Sequence, residues 1–482
     1  MHRDTSADPH THHRVGMALL FWPRGGSAQV AAYLARALDR HGWPVSLASG
    51  SLGPLGAHGN SATFFAGIDG SSFDYDEAQA MYLDGGDPMD APRPMHPSFE
   101  SKPDVADRSF TEVSPAQFEH ATDAWGTHLA GSASFAASDV LHVHHLSVLQ
   151  RAARRALPDL PMVSHLHGTD LKLLDAIERG VYDDGAHPFA AGAGDLLRDA
   201  ASVADATFVV SAHERSEAAR LLDIDVATVH LVPNGVDVER FAPTDISVGE
   251  RRAHWHRWFV ADPQGWSSAS RRTGSIAYGP EVLDRFIDPL TGGANPVLMF
   301  VGRFLGFKRV PLLIRAYAKA QPRFRRPAPL VVWGGSPGEW EGEHPHDVVN
   351  ELGVRDVFFT GWRGHDELPV GLACADVLVA PSVDEPFGQV YLEAMASGRP
   401  VIGTTTGGPV EFVNVDPEAP DGWLVTPDDI DALAEAMVAA VNGEPERRRR
   451  GANARRHVSA GYSWSALSER FVKVYEALAR ER

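Results

Sequence analysis

The sequence predicts an α/β protein built from two doubly wound, Rossmann-like domains that face each other across a cleft. The chain has 482 residues, more than one hydrophobic core normally serves. In both halves, apolar runs of strand length alternate with helical stretches, which is typical of parallel sheets covered by helices. A turn-forming segment at Pro233–Asp237 separates the two series and predicts the domain boundary.

The N-terminal half opens as a strand, a glycine turn, a helix and a second strand, which is how a doubly wound domain begins. The predicted strands are 15–21, 44–48, 140–145, 162–167 and 207–211, and the first helix is predicted over 28–41. These elements predict an N-terminal domain over residues 15–236. The preceding residues 1–14 are predicted to form a flexible tail, and no fixed geometry holds its histidines as a metal site.

The C-terminal half repeats the pattern. Its predicted strands are 297–302, 330–333, 357–360, 377–380 and 401–403. They predict a second domain over residues 237–464.

Two regions depart from this alternation. Residues 60–125 are rich in Asp, Pro and Gly, and they predict long loops and short helices. Residues 245–295 form an insertion that contains a cluster of aromatic residues. Those residues are Trp255, Trp258, Phe259 and Trp266. A packed subdomain and a lid are both consistent with the cluster, and packing is favoured because aromatics at helical spacing usually bury themselves.

Composition argues against several classes of protein. The net charge is −19 and the one basic run, Arg447–Arg450, is expected on the solvated face of a helix, so nucleic acid is not an expected partner. The single cysteine, Cys374, excludes an internal disulfide and fits a reducing compartment. No apolar run of membrane-spanning length is present, so we expect a cytoplasmic protein without an integral membrane segment. Arginine outnumbers lysine heavily, which suggests a high-GC bacterial genome.

The most informative stretch is Asp384–Gly398. Glu385 and Glu393 stand eight positions apart, the first in a turn that contains Pro and Gly and the second in the helix that follows. The backbone N–H groups of Phe387–Val390 are expected at the start of that helix, where free donors and the helix dipole stabilise a phosphate. A ligand with hydroxyls at both ends and a diphosphate between them fits this layout. A nucleotide sugar is such a ligand.

This segment and the strands around it resemble the Glu-x7-Glu signature of retaining glycosyltransferases of family 4, which have the GT-B fold. The resemblance runs from about Gly16 to the C-terminus, with residues 60–125 and 245–295 as departures. It implies a nucleoside diphosphate sugar donor held mostly by the C-terminal domain. It also implies a last helix, within 465–482, that crosses back to pack on the N-terminal domain. An ordinary strand–turn–helix with a surface glutamate at each end is the alternative interpretation.

Arg303 and Lys308 follow an apolar strand and resemble the strand-end cation pair of the family. Two cations near one diphosphate neutralise the charge that builds on the leaving group. The resemblance therefore implies catalysis that needs no metal and no cofactor. The usual glycine after the lysine is Arg309 here. Gly26, in a Gly-Gly turn after the first strand, resembles the glycine that lets the backbone approach the donor phosphate.

By the same resemblance, His167 is the histidine that contacts the donor sugar near its reacting carbon. It ends an apolar strand at the carboxyl edge, where ligands bind in such sheets. His142, His144 and His145 on the preceding strand either line the acceptor cleft or alternate between core and surface. Asp223–Asp225 has the form Asp-x-Asp but follows a helix rather than a strand, so we discount it as a metal site.

The implied site has a catalytic set and a wider donor-binding set. The catalytic set is His167, Glu385, Arg303 and Lys308, and donor binding adds Gly26, Phe387, Gly388, Gln389, Val390 and Glu393. The predicted reaction transfers a sugar with retention to a soluble small-molecule acceptor, such as a hydroxyl or thiol of a secondary metabolite. No carboxylate nucleophile is well placed, which favours a front-face, ion-pair-like substitution over a covalent intermediate. A related phosphorylase, a nucleotide-sugar epimerase, a lipid or polysaccharide acceptor, and a catalytically silent binding protein are the alternatives.

Overall fold

Parallel strands form the centre of each of two α/β units in this protein, whose computed structural model describes residues 13–99, 105–183 and 185–480. The first unit comprises the chain up to Gly235 and the segment from Trp464 onward, and the second comprises Val236–Ser463. This division falls within the turn at Pro233–Asp237. The prediction of two parallel, Rossmann-like α/β sheets is confirmed.

The strands and helices alternate along most of the chain. The strands are β1 (Val15–Leu19), β2 (Val45–Ser51), β3 (Asp69–Asp74), β4 (Val140–His144), β5 (Met162–His165), β6 (Ala206–Val209), β7 (Val229–Leu231), β8 (Leu298–Val301), β9 (Leu330–Trp333), β10 (Val357–Gly361), β11 (Val377–Val379), β12 (Val401–Thr404) and β13 (Gly422–Val425). The α-helices are α1 (Gly26–Arg40), α2 (Ser61–Phe64), α3 (Asp76–Leu83), α4 (Pro115–Gly131), α5 (Ala133–Ala136), α6 (Val148–Ala156), α7 (Thr169–Glu178), α8 (Ala190–Ser202), α9 (Ala212–Leu222), α10 (Val248–His256), α11 (Leu283–Phe286), α12 (Val310–Ala320), α13 (Pro345–Leu352), α14 (Gly364–Cys374), α15 (Gln389–Ala396), α16 (Pro409–Phe412), α17 (Ile430–Asn442), α18 (Glu444–Gly461) and α19 (Trp464–Arg480). None of the helices in the described ranges is long and apolar enough to cross a membrane.

The sheet of the first unit has the order β3-β2-β1-β4-β5-β6-β7, and that of the second has the order β10-β9-β8-β11-β12-β13. All neighbouring strands run parallel, so the carboxyl ends of the strands share one edge of each sheet. Every residue of β1 and β4 is buried, as expected for central strands covered by helices on both faces. The predicted functional residues cluster near these carboxyl edges.

The last helix, α19, completes the core of the first unit. Its buried apolar residues recur every three to four positions, which forms one apolar stripe. They are Trp464, Leu467, Phe471 and Tyr475. The stripe packs in the core that also contains residues of β1 and α1.

Residues 60–125 are more regular than the sequence predicts. β3 pairs with β2 over six residues, and α4 is 17 residues long. Ser114 starts α4 with a capping box, and Pro115 occupies its first turn. The prediction of long loops and short helices is therefore wrong for these two elements. β3 escapes detection because it is an edge strand whose one buried residue is Phe73, so it has no apolar run.

The aromatic insertion is packed, as predicted. Trp255, Trp258 and Trp266 are each at most 1% exposed. Trp258 also donates from Nε1 to Glu367 Oε2 at 2.6 Å, which ties the insertion to α14.

Arg447 corrects the expectation that the basic run is solvated. Its side chain is buried, and Nη1 donates to the carbonyl oxygens of Ala440 at 2.7 Å and Val441 at 3.0 Å. These carbonyls belong to the last turn of α17, which has no later helical partners for them. Arg447 therefore closes a helix end.

His13 and Arg14, which the sequence assigned to the tail, contact the first unit. His13 stacks on Trp43 with ring centroids 4.7 Å apart, and Arg14 Nη1 donates to Asp69 Oδ2 at 3.1 Å. The remainder of the predicted tail lies outside the described residues.

Candidate active site

The loop after β8 carries both predicted cations. β8 leads through a single 3-10 turn, Gly306–Lys308, into α12. Arg309, between the turn and the helix, has φ 55°, a left-handed conformation that favours glycine. Its guanidinium donates to Asp428 Oδ1 at 2.7 Å and to the Gly306 carbonyl at 3.0 Å. The arginine therefore occupies a backbone position suited to glycine and is held there by two side-chain contacts.

Lys308 and Glu385 are paired. Lys308 Nζ donates to Glu385 Oε2 at 2.5 Å, and the two side chains are 16% and 9% exposed. The structure thus brings together two residues that the sequence assigned to the diphosphate and to the sugar. Two charges this buried need each other's neutralisation. A nucleotide sugar that contacts one of these two side chains would therefore also affect the other.

Arg303 lies on the same loop but has a different partner. Its side chain is half-exposed, and Nη1 donates to Glu339 Oε1 at 3.0 Å. The two predicted cations therefore pair with separate carboxylates. An exposed ion pair of this kind contributes about 0–1 kcal/mol, so a diphosphate could replace Glu339 at low cost.

Gly388 starts α15, the helix of the Glu-x7-Glu segment. Gly388 has φ 95°, and a Cβ there would lie 2.9 Å from the Tyr391 ring, so the position requires glycine. Within the described chain, no side chain caps this helix. A helix start without a side-chain cap is suited to an anion, because its first N–H groups have no helical acceptor.

Gly407 and Gly408 pack against the turn that contains Glu385. Gly408 N donates to the Glu385 carbonyl at 2.8 Å. A Cβ on Gly407 would lie 2.5 Å from that carbonyl oxygen, and one on Gly408 would lie 2.5 Å from the Phe387 oxygen. The two backbone segments are therefore in direct contact. The Gly-Gly turn after β12 was visible in the sequence, but its role was not.

Glu393 lies on the second turn of α15 and is 4% exposed. Its Oε1 lies 2.9 Å from His365 Nε2. Sequence reasoning missed His365, although a histidine just after β10, near the carboxyl edge of the sheet, was an available signal. Trp362, in the same connection, is 49% exposed and offers an aromatic face there.

Gly26, in the first unit, is the first residue of α1. A Cβ added to Gly25 or Gly26 would meet nothing within 4 Å. Packing therefore gives no reason for these glycines, whereas close approach of a ligand to the backbone would.

Asp170, which sequence reasoning did not select, organises the turn of His167. Asp170 is fully buried, and its Oδ2 accepts the His167 N–H at 3.2 Å while Oδ1 accepts the Leu146 N–H at 2.7 Å. His145 Nδ1 also lies 3.2 Å from Oδ2. Asp170 is the second residue of α7, and an acidic residue in the first turn of a helix was the available signal.

Four histidines on β4, β5 and the turn after β5 form one cluster. His144 Nδ1 lies 2.9 Å from His167 Nε2, and His142 Nε2 lies 3.1 Å from His165 Nδ1. Burial lowers the pKa of all four, to about 3 for His142, so the rings are neutral at pH 7. The suggested alternation between core and surface on β4 is wrong, because His142 and His144 are buried and so is His145 just after the strand.

Among the described residues, the side chains that could converge on a metal ion are His142, His144 and His165, whose ligand atoms lie within 4.8 Å of one another. The hydrogen bond between His142 and His165 already joins two of these rings. The Asp-x-Asp segment has local roles instead, since Asp223 ends α9 and Asp225 Oδ1 accepts the Ala227 N–H at 2.9 Å.

Two glycosyltransferase family models match this chain. Residues 100–240 match the model described as "Glycosyltransferase Family 4", and residues 295–442 match the model described as "Glycosyl transferases group 1". One relative, the D-inositol 3-phosphate glycosyltransferase of Corynebacterium jeikeium, is 32% identical over 53% of each chain. Another, the glycogen synthase of Mycobacterium tuberculosis, is 28% identical over 71% of this chain and 69% of its own. The chain spans about half the length of the first curated relatives that it matches.

Solved structures match the architecture over nearly the whole chain. Sucrose-phosphate synthase from Thermosynechococcus elongatus aligns with a TM-score of 0.65 at 19% identity, covering 98% of this chain and 100% of its own. Anabaena HepE in complex with UDP and glucose aligns with a TM-score of 0.63 at 16% identity, covering 96% and 100%. At these identities the likeness concerns the fold. The chain therefore has the GT-B fold, and two of its segments match glycosyltransferase family models, one of family 4 and one of group 1.

Proposed function

We propose that this protein is a retaining, metal-independent glycosyltransferase that moves a sugar from a nucleoside diphosphate sugar to a small hydroxylated or thiol acceptor. The observation that carries the proposal is the buried Lys308–Glu385 pair in the unit that contains the uncapped start of α15. It supplies a cation and a hydroxyl acceptor in one contact, and the helix start supplies backbone donors.

These groups bind and position the nucleoside diphosphate sugar. The diphosphate binds Lys308, Arg303 and the N–H groups of Gln389 and Val390. The sugar hydroxyls bind the Glu385 carboxylate and the adjoining turn of Phe387 and Gly388, and the ribose hydroxyls bind Glu393. The family resemblance supports this assignment, and the complex of Anabaena HepE with UDP and glucose supports a nucleoside diphosphate on this fold.

The reaction follows from the charges. As the bond between the anomeric carbon and the diphosphate oxygen breaks, Lys308 and Arg303 stabilise the negative charge on the leaving group. The acceptor oxygen or sulfur forms its bond on the same face of the sugar, and its proton passes to the leaving diphosphate. By resemblance His167 contacts the sugar, and its neutral ring hydrogen-bonds hydroxyls without adding a positive charge beside the oxocarbenium-like carbon.

The acceptor is assigned by chemical class. One relative is named for D-inositol 3-phosphate, a small polyol phosphate, and another for glycogen. The first of these names supports a small hydroxylated acceptor.

The test is product analysis with a panel of nucleoside diphosphate sugars. A thermal-shift screen of nucleoside diphosphates selects the base, and cell extract then supplies acceptors. We expect donor-dependent release of free nucleoside diphosphate and a product whose anomeric proton coupling matches that of the donor. An inverted linkage would contradict the mechanism. Formation of a sugar 1-phosphate from free phosphate would show that the enzyme is a phosphorylase. An epimerised donor without any transferred sugar would show that it is an epimerase.

Metal independence has its own measurement. Turnover should persist in excess EDTA because Lys308 and Arg303 supply the positive charge. Loss of turnover that only Mn²⁺ or Mg²⁺ restores would contradict this part of the proposal.

A further inference from the structure

A polar cavity of about 440 Å³ lies at the amino-terminal edge of the sheet in the second unit. Its lining comes from the segments that precede four strands and from the starts of α10 and α18. The lining residues that precede strands include Arg326 before β9, Asn295 before β8, Asp376 before β11 and Arg399 before β12. Cavities of this size commonly hold small molecules.

The cavity is cationic although the protein is acidic. Five arginines and three carboxylates line it, an excess of two positive charges in a chain of net charge −19. The arginines are Arg251, Arg326, Arg399, Arg447 and Arg448, and the carboxylates are Asp245, Asp376 and Glu444. Such an excess attracts anions.

Carboxylates neutralise two of these arginines. Arg251 pairs with Asp376 at 3.0 Å, and Arg448 pairs with Glu444 at 2.7 Å. The contacts of the other three within the described chain are to carbonyl or amide oxygens.

Arg326 donates to Ala294 O at 2.7 Å and to Asn295 Oδ1, and Arg399 donates to Ala373 O at 3.0 Å. Arg447 closes the end of α17. Among the described residues Arg399 Nε has no acceptor, and the nearby carboxylates Asp376 and Glu444 already pair with Arg251 and Arg448.

The crowding of cations agrees with this picture. Burial lowers the pKa of Arg399; Asp376 opposes this effect, and Arg251 and Arg447 add to it. Burial likewise lowers the pKa of Arg447, against the opposing effect of Asp376 and Glu444. An anion between these groups would relieve both effects.

This edge is distinct from the candidate donor site. Arg303 follows β8 and Glu385 follows β11, whereas Asn295 and Asp376 precede those same strands. A strand of four residues spans roughly 13 Å, so the two sites lie at opposite edges of the sheet.

We propose that this cavity binds a phosphomonoester of a small polyhydroxylated molecule, such as a sugar phosphate. The phosphate dianion meets Arg326, Arg399 and Arg447, since guanidinium groups match phosphate oxygens in geometry and charge. Asp245 on the exposed rim meets hydroxyl groups of the ligand, and Thr244 lies beside it on the rim. The inference does not depend on the proposed transfer reaction.

Calorimetric titration of the full chain tests the site, with glucose 6-phosphate, inorganic phosphate and glucose as probes. The background carries Arg303→Gln and Lys308→Gln, so that the candidate donor site cannot supply the cations. We expect saturable binding of glucose 6-phosphate, weaker binding of phosphate and no binding of glucose.

Two matched pairs of variants locate the binding. Thr244→Glu adds a carboxylate at the rim and should weaken glucose 6-phosphate binding roughly tenfold or more. Thr244→Gln adds a side chain of the same size as glutamate but without the charge, and it should change the affinity by no more than about twofold. Arg326→Gln should also weaken binding roughly tenfold, and Arg325→Gln removes a neighbouring exposed arginine outside the cavity and should not. Melting temperatures of all four variants verify that they fold.

Absence of saturable binding at millimolar glucose 6-phosphate would overturn the proposal. It would also be overturned if Thr244→Glu bound as well as Thr244→Gln, because the ligand would then lie elsewhere. Failure of sugar transfer in the wild type would leave these titrations unaffected, so the two proposals fail separately.

Discussion

At the scale of single residues, the contact between Lys308 and Glu385 links the two parts of the candidate donor site. Without a bound ligand, each of these two residues neutralises the charge of the other. A change in one therefore acts on folding through the second residue and on catalysis through the donor. Stability and turnover measured on the same variants separate these two effects.

Lys308→Gln should lower turnover by about 10²-fold, because a preorganised cation at the leaving diphosphate is lost. It should also destabilise the fold by about 1–3 kcal/mol, because Glu385 stays buried without its partner. Steady-state kinetics and urea unfolding measure the two effects. Lys319→Gln is the control, since Lys319 pairs with Asp431 at an exposed position and should change unfolding by about 0.5 kcal/mol or less.

The double variant Lys308→Gln/Glu385→Gln distinguishes the two roles. It removes both charges, so most of the stability should return while turnover stays low. Recovery of turnover in the double variant, or near-normal turnover in Lys308→Gln, would remove Lys308 from the diphosphate.

Arg309 tests the left-handed position after the turn. Arg309→Gly and Arg309→Ala both lose the pair with Asp428, but only glycine relieves the backbone at φ 55°. The glycine variant should therefore be more stable than the alanine variant by about 1 kcal/mol in urea unfolding. Equal stabilities would mean that the left-handed backbone costs nothing here.

At the scale of elements, the sequence predicts the central strands and the edge strand β10, but it misses the edge strands β3, β7 and β13. β1 and β8 are apolar because helices cover both faces, and their apolar runs are visible in the sequence. β3 and β13 contain polar or half-buried residues, because an edge strand has one neighbour and more contact with solvent.

The candidate site shows the same division. Its residues follow buried strands and carry recognisable types, so the sequence could select them. The Lys308–Glu385 pair and the contact of Glu393 with His365 join distant segments, and no local pattern encodes such contacts.

The start of α15 gives a prediction at this scale. Gly388→Ala should displace the first turn of the helix, since a Cβ would meet the Tyr391 ring at 2.9 Å. We expect a loss of about 1–3 kcal/mol in stability and a marked loss of nucleoside diphosphate affinity by calorimetry.

Gly353→Ala is the matched control. Gly353 has φ 60° at the end of α13, and a Cβ there would meet nothing within 4 Å. It should lose stability but keep nucleotide affinity. Equal loss of affinity in both variants would mean that α15 has no special part in binding.

At the scale of the whole molecule, the buried histidine cluster makes stability depend on pH. The folded protein keeps His142, His144, His165 and His167 neutral because burial depresses their pKa values. The unfolded chain binds protons below its ordinary pKa of about 6.5. Stability is therefore fully present above about pH 6.5, and it falls as the pH drops toward the folded pKa, about 3 for His142.

Urea unfolding between pH 7.5 and 5 should show this loss, with a slope of up to about 1.4 kcal/mol per pH unit for each buried histidine. His142→Phe removes one titrating group and should reduce the slope. The exposed His213 is a control position, and His213→Phe should leave the slope unchanged. A slope that does not depend on His142 would assign the effect to other groups.

The return of α19 to the first unit has a consequence for biosynthesis. A ribosome releases the N-terminal part of a chain first, and domains commonly fold in that order. Here Phe471 and Tyr475 belong to the core of the first unit, yet they emerge after the whole of the second unit. The second unit is one continuous segment, and all of it precedes α19 in the chain. We therefore expect the unit that is synthesised first to complete its folding last.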